Sequence, residues 1–134
     1  MKLKHLLLVD DDPTTNFFNR HLMGKLGYFE NIHIATNGQL ALDKVLELHA
    51  SGNTLDMILL DINMPIMNGF EFLDRYNQLN DQLKSSVVVC MLTTSLAKED
   101  LEKAKEYDIL SDYLDKPLNG EKMTEIMEKY FGKA

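Results

Sequence analysis

Residues 5–15 read HLLLVDDDPTT. Leu6, Leu7, Leu8 and Val9 form an apolar run without alternation, the pattern of a strand covered on both faces. Three aspartates follow at once: Asp10, Asp11 and Asp12. Pro13 then suits a first helical position, and Asp12 in front of it can cap the helix. A strand covered on both sides that runs straight into a capped helix is the repeating unit of an open parallel sheet.

The rest of the chain repeats that unit. The first helix has Phe17, Phe18, Leu22 and Leu26 at helical spacing as its expected inner stripe, and Gly27 ends it. IHIA (32–35) is a second strand. Asn37-Gly38 opens a helix with Leu40, Ala41, Val45 and Leu48 inward, and Ser51-Gly52-Asn53 breaks it. MILL (57–60) is a third strand, followed by a loop with Pro65 and Asn68-Gly69 and a helix carrying Phe70, Phe72, Leu73 and Tyr76. VVVCML (87–92) is the fourth strand, and residues 97–106 form a charged helix with Leu101 and Ala104 inward. DYL (112–114) is the fifth strand. Asn119 opens a last helix whose stripe is Met123, Ile126, Met127, Tyr130 and Phe131. The expected fold is therefore α/β: a single open five-stranded parallel sheet, doubly wound, with helices on both faces.

Bulk properties narrow the function. A chain of 134 residues holds one core and not two. The net charge of −7 and the lack of any Lys/Arg run argue against direct nucleic-acid binding. The single cysteine, Cys90, has no partner for an internal disulfide, which fits a reducing compartment, the cytoplasm. No stretch approaches the roughly 18 apolar residues of a membrane span.

Open parallel sheets bind ligands beyond the carboxyl ends of their strands. The first strand ends in Asp10, Asp11 and Asp12, and the third in Asp61. The fourth ends in Thr93, Thr94 and Ser95, and the fifth in Asp115, Lys116 and Pro117. Converging, these ends place at least three carboxylates beside a hydroxyl and one ammonium. Carboxylates so close repel unless a cation joins them, and one lysine is not enough. Hard oxygen donors favour Mg²⁺, and such a centre suits phosphoryl transfer.

LLLVDDD, MILLDINMPIMNG, MLTTS and DYLDKPL together resemble the signature of the receiver domains of bacterial response regulators, in the right order and over nearly the whole chain. The resemblance implies a flavodoxin-like (βα)₅ fold. It implies that residues 1–134 are one receiver domain of the stand-alone, chemotaxis type, with no output domain in this chain. Asp61 would be the phosphoacceptor, loaded by a histidine kinase or phosphotransfer protein. Asp10 and Asp11 would hold Mg²⁺ with Asp61 and the backbone carbonyl of Asn63. Lys116 would pair with the phosphoryl group, Thr93 would be the switch hydroxyl and Tyr113 the switch aromatic. The Lys116–Pro117 bond would be cis. A downstream protein would dock on the face of the fourth helix, fifth strand and fifth helix. Such a domain is a switch rather than an enzyme. Three positions depart from the family pattern: Thr94 for a smaller residue, Asn119 for an aromatic, and Asp108-Ile109 for Gly-Ala.

Plainer roles compete for several of these residues. Asp12 reads as a helix cap rather than a ligand, and the four histidines, His5, His21, His33 and His49, as surface or packing residues. Met64 and Met67 read as loop contacts, and Lys98 to Glu106 as a solvated helix face. Two other functions stand beside the switch. Asp10-x-Asp12-x-Thr14 also fits the opening of haloacid-dehalogenase-type phosphatases, with Asp10 as nucleophile and Asp12 as acid/base. A receiver-like interaction module that is never phosphorylated is the other.

Overall fold

The structure is a computed structural model that describes residues 2–79, 87–94 and 98–132. Its elements are β1 (Leu3–Val9), α1 (Pro13–Leu26), β2 (Phe29–Ala35), α2 (Gly38–Ala50), β3 (Met57–Leu60), α3 (Gly69–Asn77), β4 (Val88–Thr93), α4 (Lys98–Ala104), β5 (Leu110–Asp115) and α5 (Gly120–Phe131). All strand pairs are parallel, in the order β2-β1-β3-β4-β5. This is the flavodoxin-like sheet that the sequence predicts.

Alternation along each strand divides the core of this one domain into two layers, one on each face of the sheet, where the length alone suggested a single core. Leu7, Val9, Ile58, Leu60, Val89 and Met91 face one side, where α2 and α3 cover them. Leu6, Leu8, Met57, Leu59, Cys90 and Leu92 face the other, under Met23 of α1 and Met123, Ile126 and Met127 of α5. The central strands are apolar at every position because neither face meets water.

Local signals set where helices begin. Asp12, Asn37 and Asn119 each accept a backbone N–H in the first turn of α1, α2 and α5. Asn68 and Glu71 form a reciprocal capping box on α3. Gly27 ends α1 in the left-handed region at φ 70°.

Several boundaries and faces differ from expectation. β2 begins at Phe29, β4 runs one residue further to Thr93, and β5 spans six residues rather than three. The charged helix ends at Ala104, and residue 97, its expected start, lies outside the described residues, as does Ser95. The largest correction is on α1. Phe17 and Phe18 are 68% and 62% exposed, and the buried face is Asn16, Asn19 and Met23. Positions 16, 19 and 23, at i, i+3 and i+7, share the helix face that lies on the sheet. Leu40 of α2 is likewise exposed, and Leu42 packs in its place beside Ala41, Val45 and Leu48. Met67, expected as a loop contact, is part of the core.

Candidate functional site

The chain winds from β1 out to β2, then crosses back to β3 on the other side of β1. That reversal opens a crevice at the carboxyl ends of β1 and β3. Register sets what fills it. Val9 lies opposite Leu60, Leu60 opposite Met91, and Met91 opposite Tyr113. The next residues, Asp10 and Asp61, therefore sit side by side. Their backbones remain pinned: Asp10 N donates to the Ala35 carbonyl at 3.1 Å, and Asp61 N to the Val9 carbonyl at 2.9 Å. On β5, Lys116 N donates to the Thr93 carbonyl at 2.8 Å, and the Lys116–Pro117 bond is cis.

Asp10 and Asp61 are only 4% and 7% exposed, while Asp11 is open to water. Carboxylate oxygens of the three lie within 4.8 Å of one another. Asp10 Oδ1 accepts from the Asp12 amide at 2.9 Å, and Asp10 Oδ2 takes the Lys116 ammonium at 2.5 Å. Asp61 Oδ1 accepts from the Ile62 amide at 2.9 Å and lies 3.6 Å from Lys116 Nζ. Among the described residues, nothing donates to Asp61 Oδ2. Lys116 therefore leans on Asp10 and only reaches toward Asp61. Burial and the charge of Asp10 push the Asp61 carboxyl up to about 6, against the opposing pull of Lys116 and the Ile62 N–H.

That donor set fits a small, hard divalent cation. Its atoms are carboxylate oxygens, two of the three groups are buried, and among the described residues one ammonium, that of Lys116, stands against them, which leaves the cluster short of positive charge. Asn63 follows in the exposed loop after Ile62.

Gly69 sets the shape of that loop. Its amide donates to the Ile62 carbonyl at 2.8 Å, and a β-carbon there would lie 2.4 Å from the Asp61 carbonyl oxygen. Only glycine permits so close an approach behind Asp61. In the same loop, Ile66 holds φ 69° with its side chain 83% exposed, a costly conformation for a β-branched residue.

Thr93 is buried at the end of β4, and Tyr113 is half-buried against the α3-side core. Asp12 points elsewhere: its carboxylate accepts from Thr15 Oγ1 and Thr14 N, which hold it below the usual carboxylate range. The acid/base that a phosphatase of the rival type needs is thus engaged as a helix cap. Sequence reasoning missed Asn16 and Asn19, both buried beside the acids. The signal was present, since a helix starting at Pro13 brings position 16 back over the strand end. It also missed an open groove of about 660 Å³ beside the site, lined by Phe18, Leu22, Thr94, Lys116 and Pro117 among others.

The family model of the response regulator receiver domain matches residues 6–128. The Two-component response regulator 24 of Arabidopsis thaliana is 31% identical over 92% of this chain and 81% of its own length. A two-component response regulator from Cytophaga hutchinsonii superposes with a TM-score of 0.89 at 34% identity, over 99% of this chain and 100% of that one. The chemotaxis response regulator CheY4 of Vibrio cholerae gives 0.76 at 29% identity, over 96% and 99%. The chain belongs to the response regulator receiver domain family, the signal-receiving module of two-component systems. Among the described residues, no helix is long and apolar enough to cross a membrane.

Proposed function

We propose that this receiver takes a phosphoryl group on Asp61 from a histidine kinase or phosphotransfer protein, and that the modification switches a partner-binding surface. The observation that carries the proposal is the crevice itself: three carboxylates within 4.8 Å and one ammonium between two of them, at the reversal point of the sheet. Asp61 Oδ2, which accepts nothing from the described residues, is the oxygen available to attack phosphorus. The new P–O bond forms as the donor's P–N bond breaks and its imidazole leaves. Asp10, Asp11, Asp61 and the Asn63 carbonyl would hold Mg²⁺. When bound, that ion draws charge from the acids and the phosphoryl oxygens.

The chain's own residues do the rest. The Ile62 amide orients Asp61, and Gly69 fixes the backbone behind it. Lys116, already between Asp10 and Asp61, is placed to meet the incoming phosphoryl charge. Thr93 and Tyr113 occupy adjacent strands whose carboxyl ends meet the site, and they are the residues expected to rearrange. The surface they would alter is that of α4, β5 and α5, where a downstream protein would dock. The single buried cysteine is compatible with work in the cytoplasm. The domain acts as a switch and turns over no separate substrate.

Incubation with acetyl phosphate and Mg²⁺, followed by mapping of the acyl phosphate, tests the assignment. Label on Asp61 supports it. Label on Asp10 with Asp61 spared would favour the phosphatase reading, and a chain that takes no label would favour an unphosphorylated interaction module.

A further inference from the structure

The crevice accounts for the acids and for Lys116, but not for the amide buried behind them. α1 packs on the sheet through Asn16, Asn19 and Met23, so the turn nearest the site presents polar groups where an apolar residue would be expected. Asn16 is 4% exposed. Its Nδ2 donates to the Asp10 carbonyl at 2.8 Å. That bond fixes the orientation of the amide, since only the NH₂ end can donate to a carbonyl. Asn16 Oδ1 is left buried and accepts no hydrogen bond from any described residue. Buried amide oxygens are nearly always partnered by protein or by an ordered water.

Beside it lies a cavity of about 10 Å³, walled by Asp10, Asn16, Asn19 and Asp61 over an apolar floor. That is roughly the space one water needs, and the walls offer it the two to four polar partners such a water takes. We propose that Asn16 is a positioning residue of the acidic site: it clamps Asp10 through the carbonyl and holds one buried water that hydrogen-bonds to the rear of the Asp10–Asp61 pair. The inference rests on the reading of Asp10 and Asp61 as metal-binding acids. Asn16 touches neither metal nor phosphoryl group. It sets where the Asp10 carboxylate sits, as groups behind metal ligands commonly do.

Two measurements on the whole chain test this. The first is calorimetric Mg²⁺ titration of the unphosphorylated protein. Asn16→Leu, which removes both the clamp and the water's partner, is expected to raise the dissociation constant about tenfold or more. Met23→Leu, on the same face of α1 away from the acids, is expected to leave it unchanged. Should Asn16→Leu fail to fold, Asn16→Ser is read in the same way, because a serine hydroxyl is too short to clamp the carbonyl. The second is a high-resolution crystal structure of the wild type, expected to show a water within hydrogen-bond distance of Asn16 Oδ1. A folded Asn16 variant that binds Mg²⁺ within twofold of wild type overturns the positioning role alone. A crystal structure with a dry Oδ1 overturns the water. A wild-type chain that binds no Mg²⁺ overturns the metal reading and this inference with it.

Discussion

The two ends of the sheet both carry aspartates and treat them in opposite ways: Asp56 is half-buried, Asp10 and Asp61 are buried. At the amino ends of β1 and β3, Asp56 Oδ2 accepts backbone N–H groups from Lys4 at 2.7 Å and His5 at 3.1 Å. Its own amide donates to the His5 carbonyl, and its carbonyl accepts from Val88. Nearby, His5 Nδ1 and His33 Nε2 share a hydrogen bond at 3.0 Å. At the carboxyl ends, three aspartates crowd around one ammonium, and a carboxyl is pushed up to about 6 by burial beside another acid. One end is neutralised by the main chain and holds the strands in register. The other is left short of positive charge, which weakens the fold there and readies it for an incoming cation and phosphoryl group.

The sharpest way to break this contrast is Asp61→Asn. Labelling by acetyl phosphate should fall to background, and label at the wild-type level would sink the assignment. The same variant sharpens the comparison in melting experiments. The Asp61 carboxyl sits at about 6 against an ordinary 3.8, so the folded chain holds this proton more tightly than the unfolded chain. Stability from this group is present below about pH 4 and is lost as pH rises through 6. Asp61→Asn should therefore melt above wild type at pH 8, with the gap closing toward pH 4. A gap that widens on acidification would contradict the sign.

Gly69→Ala should be next in size. A β-carbon 2.4 Å from the Asp61 carbonyl must push backbone rather than a flexible side chain. We expect a loss of about 3 kcal/mol in urea unfolding together with weakened labelling. At the quiet end of the sheet, Asp56→Ala should cost about 2 kcal/mol, for two backbone donors left without their charged acceptor, and labelling should be unchanged. If labelling falls as well, the two ends are coupled more tightly than their separation implies. The smallest effect is expected at Ile66→Gly, which relieves a β-branched residue at φ 69° and should raise stability by about 1 kcal/mol.

Much of the fold and of the site is legible in the amino-acid sequence. The apolar runs at 6–9, 57–60 and 87–92 leave no solvent face, so helices must cover both sides. Asp12, Asn37 and Asn119 announce three helix starts, and the residues after the first, third, fourth and fifth strands name the acids, Thr93 and Lys116. What is hidden depends on tertiary phase and register. The apolar stripe of α1 suggests Phe17 and Phe18 inward, because Asn16 and Asn19 break the hydrophobic period that would reveal its true face. His5 and His33 meet only because β1 and β2 pair with Leu7 opposite His33, an offset that spacing along the chain cannot supply. The preference of Lys116 for Asp10 over Asp61 likewise depends on distances of 2.5 and 3.6 Å that no motif encodes.

Cys90 completes the view of the sheet in chemical terms. It is the chain's single cysteine, it lies in the middle of β4 with no exposure, and burial pushes its thiol up to about 12. The thiolate that would attack a maleimide or a peroxide is essentially absent at neutral pH. Natural oxidants should leave this cysteine of the folded chain unmarked. A cysteine introduced at an exposed position such as Phe17→Cys would then be its one reactive thiol, so a fluorophore or spin label could be attached on the exposed face of α1 without first removing Cys90.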